Sequence, residues 1–289
     1  MSDNRQDRGL PAVGPVPAVE TTGAGEGMRP GQPVPYRGGS FTLRSLRLVS
    51  PLVFIALIAF WEFGSQQGFI SALVLPAPSE AFQAFRDLAV SGRLWQHLNA
   101  SLYRLLVGWS AGTTLGIIVG FLIGLSSLGR ATFSPLVSAI FPIPKIALLP
   151  LFIIWFGIGE GSKVATILFG SFFPTVIATY GGVDNVDRGL IRMGQSFGLT
   201  RLSIIRKIIL PGALPTILSG FRISASIAII LLVAAEMIGA EYGVGAYILL
   251  AGSLMATDQL IAGVALLSLM GLTVSWLIGR AERFFLRWR

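Results

Sequence analysis

Residues 187–215, DRGLIRMGQSFGLTRLSIIRKIILPGALP, carry Arg188, Arg192, Arg201, Arg206 and Lys207 inside an otherwise oily chain. A run this basic cannot sit in hydrocarbon, and Lys/Arg-rich loops mark the cytoplasmic side of a membrane protein. The segment therefore reads as a cytoplasmic loop between two spans. Its spacing predicts two short helices: Asp184 or Asn185 caps the first, Gly198 ends it, Thr200 caps the second and Pro211 stops that one. Leu202, Ile205, Ile208 and Ile209 recur at helical intervals as an apolar face, with Arg201, Arg206 and Lys207 mostly to its sides. Two uses suit this pattern, a docking element for a partner and a helix lying on its own membrane.

The rest of the chain supports a membrane setting. Hydrophobic residues make up 53% and charged residues 12%, and mean hydropathy is +0.73, far from a soluble domain. The 289 residues suffice for an all-α polytopic protein of about six spans. With no cysteine and one histidine, His97, there is no disulfide, no thiolate metal site and no convergent set for hydrolytic chemistry. His97 is expected at the membrane surface. The net charge of +8 is explained by loop bias rather than nucleic-acid binding, because no aromatic-plus-basic platform accompanies it.

In chain order, residues 1–45 are rich in glycine and proline and read as a disordered cytoplasmic tail, with the membrane domain filling 46–289. Spans are expected at about 48–61, 98–125, 133–156, 164–180, 213–238 and 260–278. The tail before it lacks the apolar core of a cleavable signal peptide, so the first span reads as an uncleaved anchor. Between the first two, Ala81, Phe82, Phe85, Leu88 and Ala89 suggest an amphipathic helix at the outer interface, capped by Ser79. Gly112, Gly116, Gly120 and Gly124 form a stripe for close helix approach, within the chain or between copies. Pro135, Pro142, Pro144 and Pro150 predict a broken third span, which membranes tolerate where the freed backbone is buried or lines a cavity. Lys145 inside that stretch is a pathway candidate or the mark of the break. Trp155, Arg222 and Glu236 complete the pathway candidates, although Arg222 also suits a structural ion pair and Glu236 the outer interface near Glu241. GIGEGSK at 157–163 falls short of a phosphate-binding loop because Ser162 stands where glycine is required.

Charge sorting sets the orientation. Arg37, Arg44, Arg47, Arg130, the cations of the central loop and Arg280, Arg283, Arg287 and Arg289 fall on one side; Arg86, Arg93 and Lys163 fall on the other. Both termini are expected in the cytoplasm.

The spacing Gly198, nine residues, Ile208, one residue, Leu210-Pro211 resembles the EAA loop of the membrane-spanning subunits of ABC importers. That pattern is E-A-A, three residues, G, nine residues, I-x-L-P; here Arg192, Met193 and Gly194 stand at E-A-A. The blocks LPAPSEA (75–81), LWQHLNASLYRLLVG (94–108), LLPLFIIWFGIGEGSK (148–163), FGLTRLSIIRKIILPGALP (197–215) and VAAEMIGA (233–240) resemble the nitrate, sulfonate and taurine branch in their order. The resemblance implies a type I importer permease fold, homodimeric, in the bacterial inner membrane. It implies a coupling helix in the loop at about 184–212, with Arg192, Gly198, Leu199, Thr200, Arg201, Leu202, Ile205, Ile208, Leu210 and Pro211 facing or shaping the contact. It further implies two ATPase subunits that bind the ATP, a periplasmic or lipid-tethered binding protein, no cofactor on this chain, and a small, anionic solute such as a sulfonate, taurine or nitrate. An ion-coupled secondary transporter is the rival reading, but it would need intramembrane carboxylates and two related halves, and Glu236 is the main deep acidic residue.

Overall fold

The computed structural model describes residues 49–287, and the expected tail, Arg37, Arg44, Arg47 and Arg289 lie outside these. The chain packs as two units: Met1–Val53, described only over 49–53, and Phe54–Arg289, which holds every other element. Among the described residues the regular elements are helical. They are α1 (Val49–Gln66), α2 (Pro78–Val90), α3 (Arg93–Leu125), α4 (Ser127–Ile140), α5 (Leu149–Phe156), α6 (Glu160–Asp184), α7 (Arg188–Ser196), α8 (Arg201–Ile204), α9 (Leu210–Met237), α10 (Val244–Ser253) and α11 (Thr257–Phe285).

Four helical stretches are long and apolar enough to cross a membrane: Arg93–Leu125, Glu160–Asp184, Arg201–Met237 and Thr257–Phe285. The pair Ser127–Ile140 and Lys145–Phe156 meets the same measure jointly, as one broken span or a re-entrant loop, bent by 91° at the Pro142–Pro144 break that the prolines predict. The first expected span falls on α1, whose apolar part, Pro51–Gln66, is shorter. Helix α10 is an addition that the sequence reading did not place.

The core is built on small residues. Along α3, Gly108, Gly112, Gly116, Gly120 and Gly124 face α6, and a methyl group on most of them would collide with it. At Gly108 it would lie 2.7 Å from Ile167 Cβ, at Gly112 2.5 Å from the Leu168 carbonyl, and at Gly116 2.8 Å from both the Phe172 carbonyl and Thr175 Cβ. The stripe therefore seats an intrachain helix. Polar side chains on α6 do not disturb this contact, because Thr166, Ser171, Thr175 and Thr179 donate to carbonyls four residues back on their own helix. On its other side α6 meets α9 through Gly170, Gly182 and Gly220. These contacts interlock α3, α6 and α9 into one block.

Helix α2 begins two residues earlier than expected, because Ala77 is its N-cap and Pro78 occupies the first turn. Glu80 accepts from the Ala77 N–H at 3.1 Å, and Ser79, the expected cap, instead donates to Glu62. Ala81, Ala84 and Leu88 form its buried face, while Phe82 points outward.

Candidate functional site

Charged side chains gather at both ends of the α3–α6–α9 block. The first group is the loop between α6 and α9. Asp187, not Asp184 or Asn185, caps α7, its carboxylate accepting from the Gly189 N–H at 2.7 Å. The difference has a simple cause: α6 runs on to Asp184 and Asn185 closes it, so both residues belong to the preceding helix. Asp184 pairs with Arg130 of α4.

Helix α7 ends as the glycine predicts. Gly198 takes φ +71°, its N–H reaches the Gln195 carbonyl at 2.9 Å, and the Leu199 N–H reaches the Gly194 carbonyl at 3.0 Å. This paired closure needs a left-handed residue, and nothing lies near enough to Gly198 to restrict a side chain otherwise. Thr200 caps α8 as expected, accepting from the Ser203 N–H at 3.3 Å.

Pro211 does not stop the second helix. Residues Ile205–Ile209 open into a π turn, in which the Leu210 N–H reaches Ile205 O, and α9 continues directly through Pro211. The wider turn absorbs a residue that has no N–H to offer and would crowd the carbonyl four before it. It also changes which side chains point inward. Ile204 and Ile209, five apart, are buried; Ile205 and Ile208 are half-buried; Leu202, expected on the apolar face, is 57% exposed. Ile204 and Ile209 join Val183, Val186, Ala213 and Ile217 in one cluster, against which Leu199, Ile191 and Phe121 pack. The elbow is thus fixed to the ends of α3, α6 and α9.

Outside this cluster the loop is exposed. Arg192 and Arg201 face solvent and Leu210 is partly exposed, as do Arg188, Arg206 and Lys207. Among the described residues none of these five cations has a hydrogen-bond or ion-pair partner, whereas Arg104, Arg130 and Arg222 each hold a carboxylate.

The second group lies at the opposite end. Arg104, 3% exposed, sits on α3 where three other elements converge. Its Nε and Nη2 donate to both oxygens of Glu160 at 2.7 and 2.6 Å; Nη1 donates to Glu236 at 2.7 Å and to the Tyr242 carbonyl at 2.6 Å. Glu236, 1% exposed, also accepts from Ser101 Oγ at 2.7 Å and the Gly245 N–H at 2.9 Å. Ser101 Oγ in turn accepts from the Val244 N–H, and His97 Nδ1 accepts from the Gly243 N–H at 3.1 Å. Gly243 adopts φ +150°, and a Cβ there would lie 2.5–2.7 Å from the Glu236 carboxylate. The cluster therefore ties the strap between α9 and α10 to α3 and α6. Lys163 is also buried, turning its ammonium onto the carbonyls of Ile158 and Gly159 at 2.6 and 3.0 Å.

The four pathway candidates are dispersed. Lys145 sits at the bend, donating to the Phe141 carbonyl and lying 5.3 Å from the centre of the Phe173 ring. Trp155 is 62% exposed, edge-on to Phe152. Arg222 pairs with Glu282 of α11 at 2.7 Å, and Glu236 is buried on Arg104. No hydrogen bond, ion pair or ring contact joins any two of the four among the described residues. Arg104, Ser101 and Glu160 were not singled out from sequence, and His97 is tied into the strap rather than placed only at a surface.

A cavity of about 690 Å³ opens between α2 and the turn joining α10 to α11, with Glu80, Asp87 and Asp258 beside Arg93 in its wall.

Comparison with known proteins fits this arrangement. The family model described as binding-protein-dependent transport system inner membrane component matches residues 112–287. The putative aliphatic sulfonates transport permease protein SsuC of Escherichia coli (strain K12) is 37% identical over 243 residues, 84% of this chain and 92% of its own length. The taurine transport system permease protein TauC of the same strain is 36% identical over 239 residues, 81% of this chain and 86% of its own. An inward-facing structure of the MetNI methionine ABC transporter aligns with a TM-score of 0.53 at 22% identity, covering 68% of this chain and 95% of that one, a likeness of fold. The chain belongs to the binding-protein-dependent transport system inner membrane component family, as a permease subunit of an ABC importer.

Proposed function

We propose that this permease forms the translocation path for a small organic anion of the sulfonate class, driven by ATPase subunits that dock on the elbow of residues 187–211. The observation that carries the docking half is the elbow itself: a closure fixed by Gly198, seated by apolar side chains on three spans, with its cations turned outward and unpaired among the described residues. A push on such an element passes into α6 and α9 because Val183, Ile209 and Ala213 share its core. Glycine-close packing then carries the displacement to α3 rather than dissipating it.

The solute half rests on the relatives, whose names specify aliphatic sulfonates and taurine. Lys145 suits it, as the cation at the bend of a broken span. The 690 Å³ cavity does not, because Glu80, Asp87 and Asp258 would repel an anion; its charge and position suit contact with a binding protein. A second copy completes the path, both termini lie in the cytoplasm, and ATP is held by the partner subunits. The binding protein must favour one access state over the other, since a ligand without differential affinity shifts nothing.

The test is uptake of a labelled alkyl sulfonate into proteoliposomes holding the permease with a P-loop ATPase and a sulfonate-binding protein from the same organism. ATP-dependent uptake that is lost with Gly198→Pro is expected. Uptake driven by an ion gradient without any ATPase would overturn the proposal in favour of secondary transport.

A further inference from the structure

We infer that the surface presented by α7 and α8 fits a partner cleft with an apolar floor and a carboxylate rim, in which an acidic residue faces Arg192. The inference rests on the docking reading above and specifies the chemistry of the occupant.

Three observations carry it. Arg188, Arg192, Arg201, Arg206 and Lys207 are exposed and without partners among the described residues, and the nearby carboxylates are already engaged, Asp187 on the α7 cap and Asp184 on Arg130. Between these cations Leu190, Met193, Phe197 and Leu202 are 46%, 51%, 78% and 57% exposed, which makes an apolar stripe flanked by positive charge. The third is the division of labour within Arg192-Met193-Gly194. Gly194 is buried, with the space for a methyl occupied by Ile208 Cδ1 at 2.8 Å, so it belongs to the seat of the elbow. Arg192 and Met193 point outward, so a cation stands beside an apolar side chain on the contact face. A cleft complementary to that arginine must supply a carboxylate.

A membrane surface is the other chemistry that basic and apolar side chains suit. Geometry favours protein. The helix reaching from the elbow to the Arg104 end, Arg201–Met237, has 37 residues, about 55 Å at 1.5 Å per residue against a hydrocarbon core of about 30 Å. The excess of about 25 Å over the hydrocarbon is enough to carry the elbow past the acyl chains, and the inner face of α7 is spent on its own chain through Ile191 and Gly194.

The test titrates a P-loop ATPase subunit from a sulfonate or taurine importer of the same organism onto the full-length permease in zwitterionic nanodiscs, across a salt series. Wild type is expected to bind more weakly as salt rises, because exposed pairs are screened beyond about 10 Å at 0.1 M. Arg192→Glu should raise Kd about tenfold or more and flatten the salt dependence, and an acidic-to-lysine exchange on the ATPase rim should restore binding. If Arg192→Glu binds like wild type with the same salt dependence while Gly198→Pro loses binding, the docking reading stands and the acidic rim is wrong. If wild type binds no ATPase at any salt, both fall. Because the chain has no cysteine, Ser196→Cys gives a single site for an environment-sensitive dye. A dye that reports burial in phosphatidylglycerol nanodiscs without ATPase, and loses that signal with Arg192→Glu, would assign the surface to lipid and overturn the inference.

Discussion

At one end of the bundle a buried Arg104 holds the buried Glu236, the half-exposed Glu160 and a carbonyl; at the other, the cations of residues 188–207 stand exposed with no partner among the described residues. About 30 Å of α3, from Arg104 to Leu125, separates them at 1.5 Å per residue. The contrast separates two uses of charge in an apolar chain. A buried ion is tolerable only with its counter-ion and hydrogen bonds in place, so the Arg104 cluster is part of what the fold must assemble. An exposed cation contributes little to stability, so the elbow's charges are free to serve the docking proposed above.

Removing Arg104 should give the largest effect. Arg104→Met leaves Glu236 buried without its cation, which costs about 3–5 kcal/mol, read as a large loss of folded protein and of melting temperature in detergent. Arg104→Met combined with Glu236→Leu should recover much of that loss, because no buried charge is stranded. A single variant as stable as wild type would show that the buried Glu236 does not depend on Arg104. Gly243→Ala should follow at about 1–3 kcal/mol, since it forces a side chain into a glycine-only conformation and against the Glu236 carboxylate. Proteolysis between α9 and α10 should report the loosened strap.

The sequence displays one of these regions far better than the other, and the reason is physical. The elbow announces itself through contiguous charge and a glycine followed by a threonine cap, all local signals. The glycine stripe of α3 and the proline-broken third span are equally local, and both stand where the periodicities put them. Arg104 is a single cation in an apolar helix, and its partners lie 56 and 132 residues away, so nothing in one sequence pairs them. Leu202 was assigned to the wrong face because a helical period of 3.6 does not hold through a π turn, where Ile204 and Ile209 become the buried pair. Asp187 replaced the expected cap because α6 uses Asp184 as its own last residue. Helix α10 was passed over because ten apolar residues after a span resemble its continuation, and only the Arg104 contacts to Tyr242 and Glu236 show the chain turning there.

At the elbow, effects on folding should be small and effects on coupling large. Gly198→Ala keeps the same backbone but places a side chain at φ +71°, about 1–2 kcal/mol of local strain, with open space around it. The melting temperature should fall by only a few degrees while ATPase stimulation by the permease drops, in the reverse proportion to Arg104→Met. Equal losses of stability and coupling would mean that the elbow is structural in the way the Arg104 cluster is.

The smallest effect is expected at Gly194, where the elbow meets its seat. Gly194→Ala gains about 1 kcal/mol of helix propensity in α7. Against this, the new methyl would lie 2.8 Å from Ile208 Cδ1, the far end of a side chain that can rotate, and 3.4 Å from Leu199, an ordinary contact. The two terms are of similar size, so the stability should stay within about 0.5 kcal/mol of wild type, read as a nearly unchanged melting temperature. Gly194→Leu should instead separate α7 from Ile204 and Ile208 and uncouple the ATPase. If alanine were as damaging as leucine, the elbow would be as tightly packed as the α3–α6 seam, and the division between a rigid far end and an adaptable docking end would have to be abandoned.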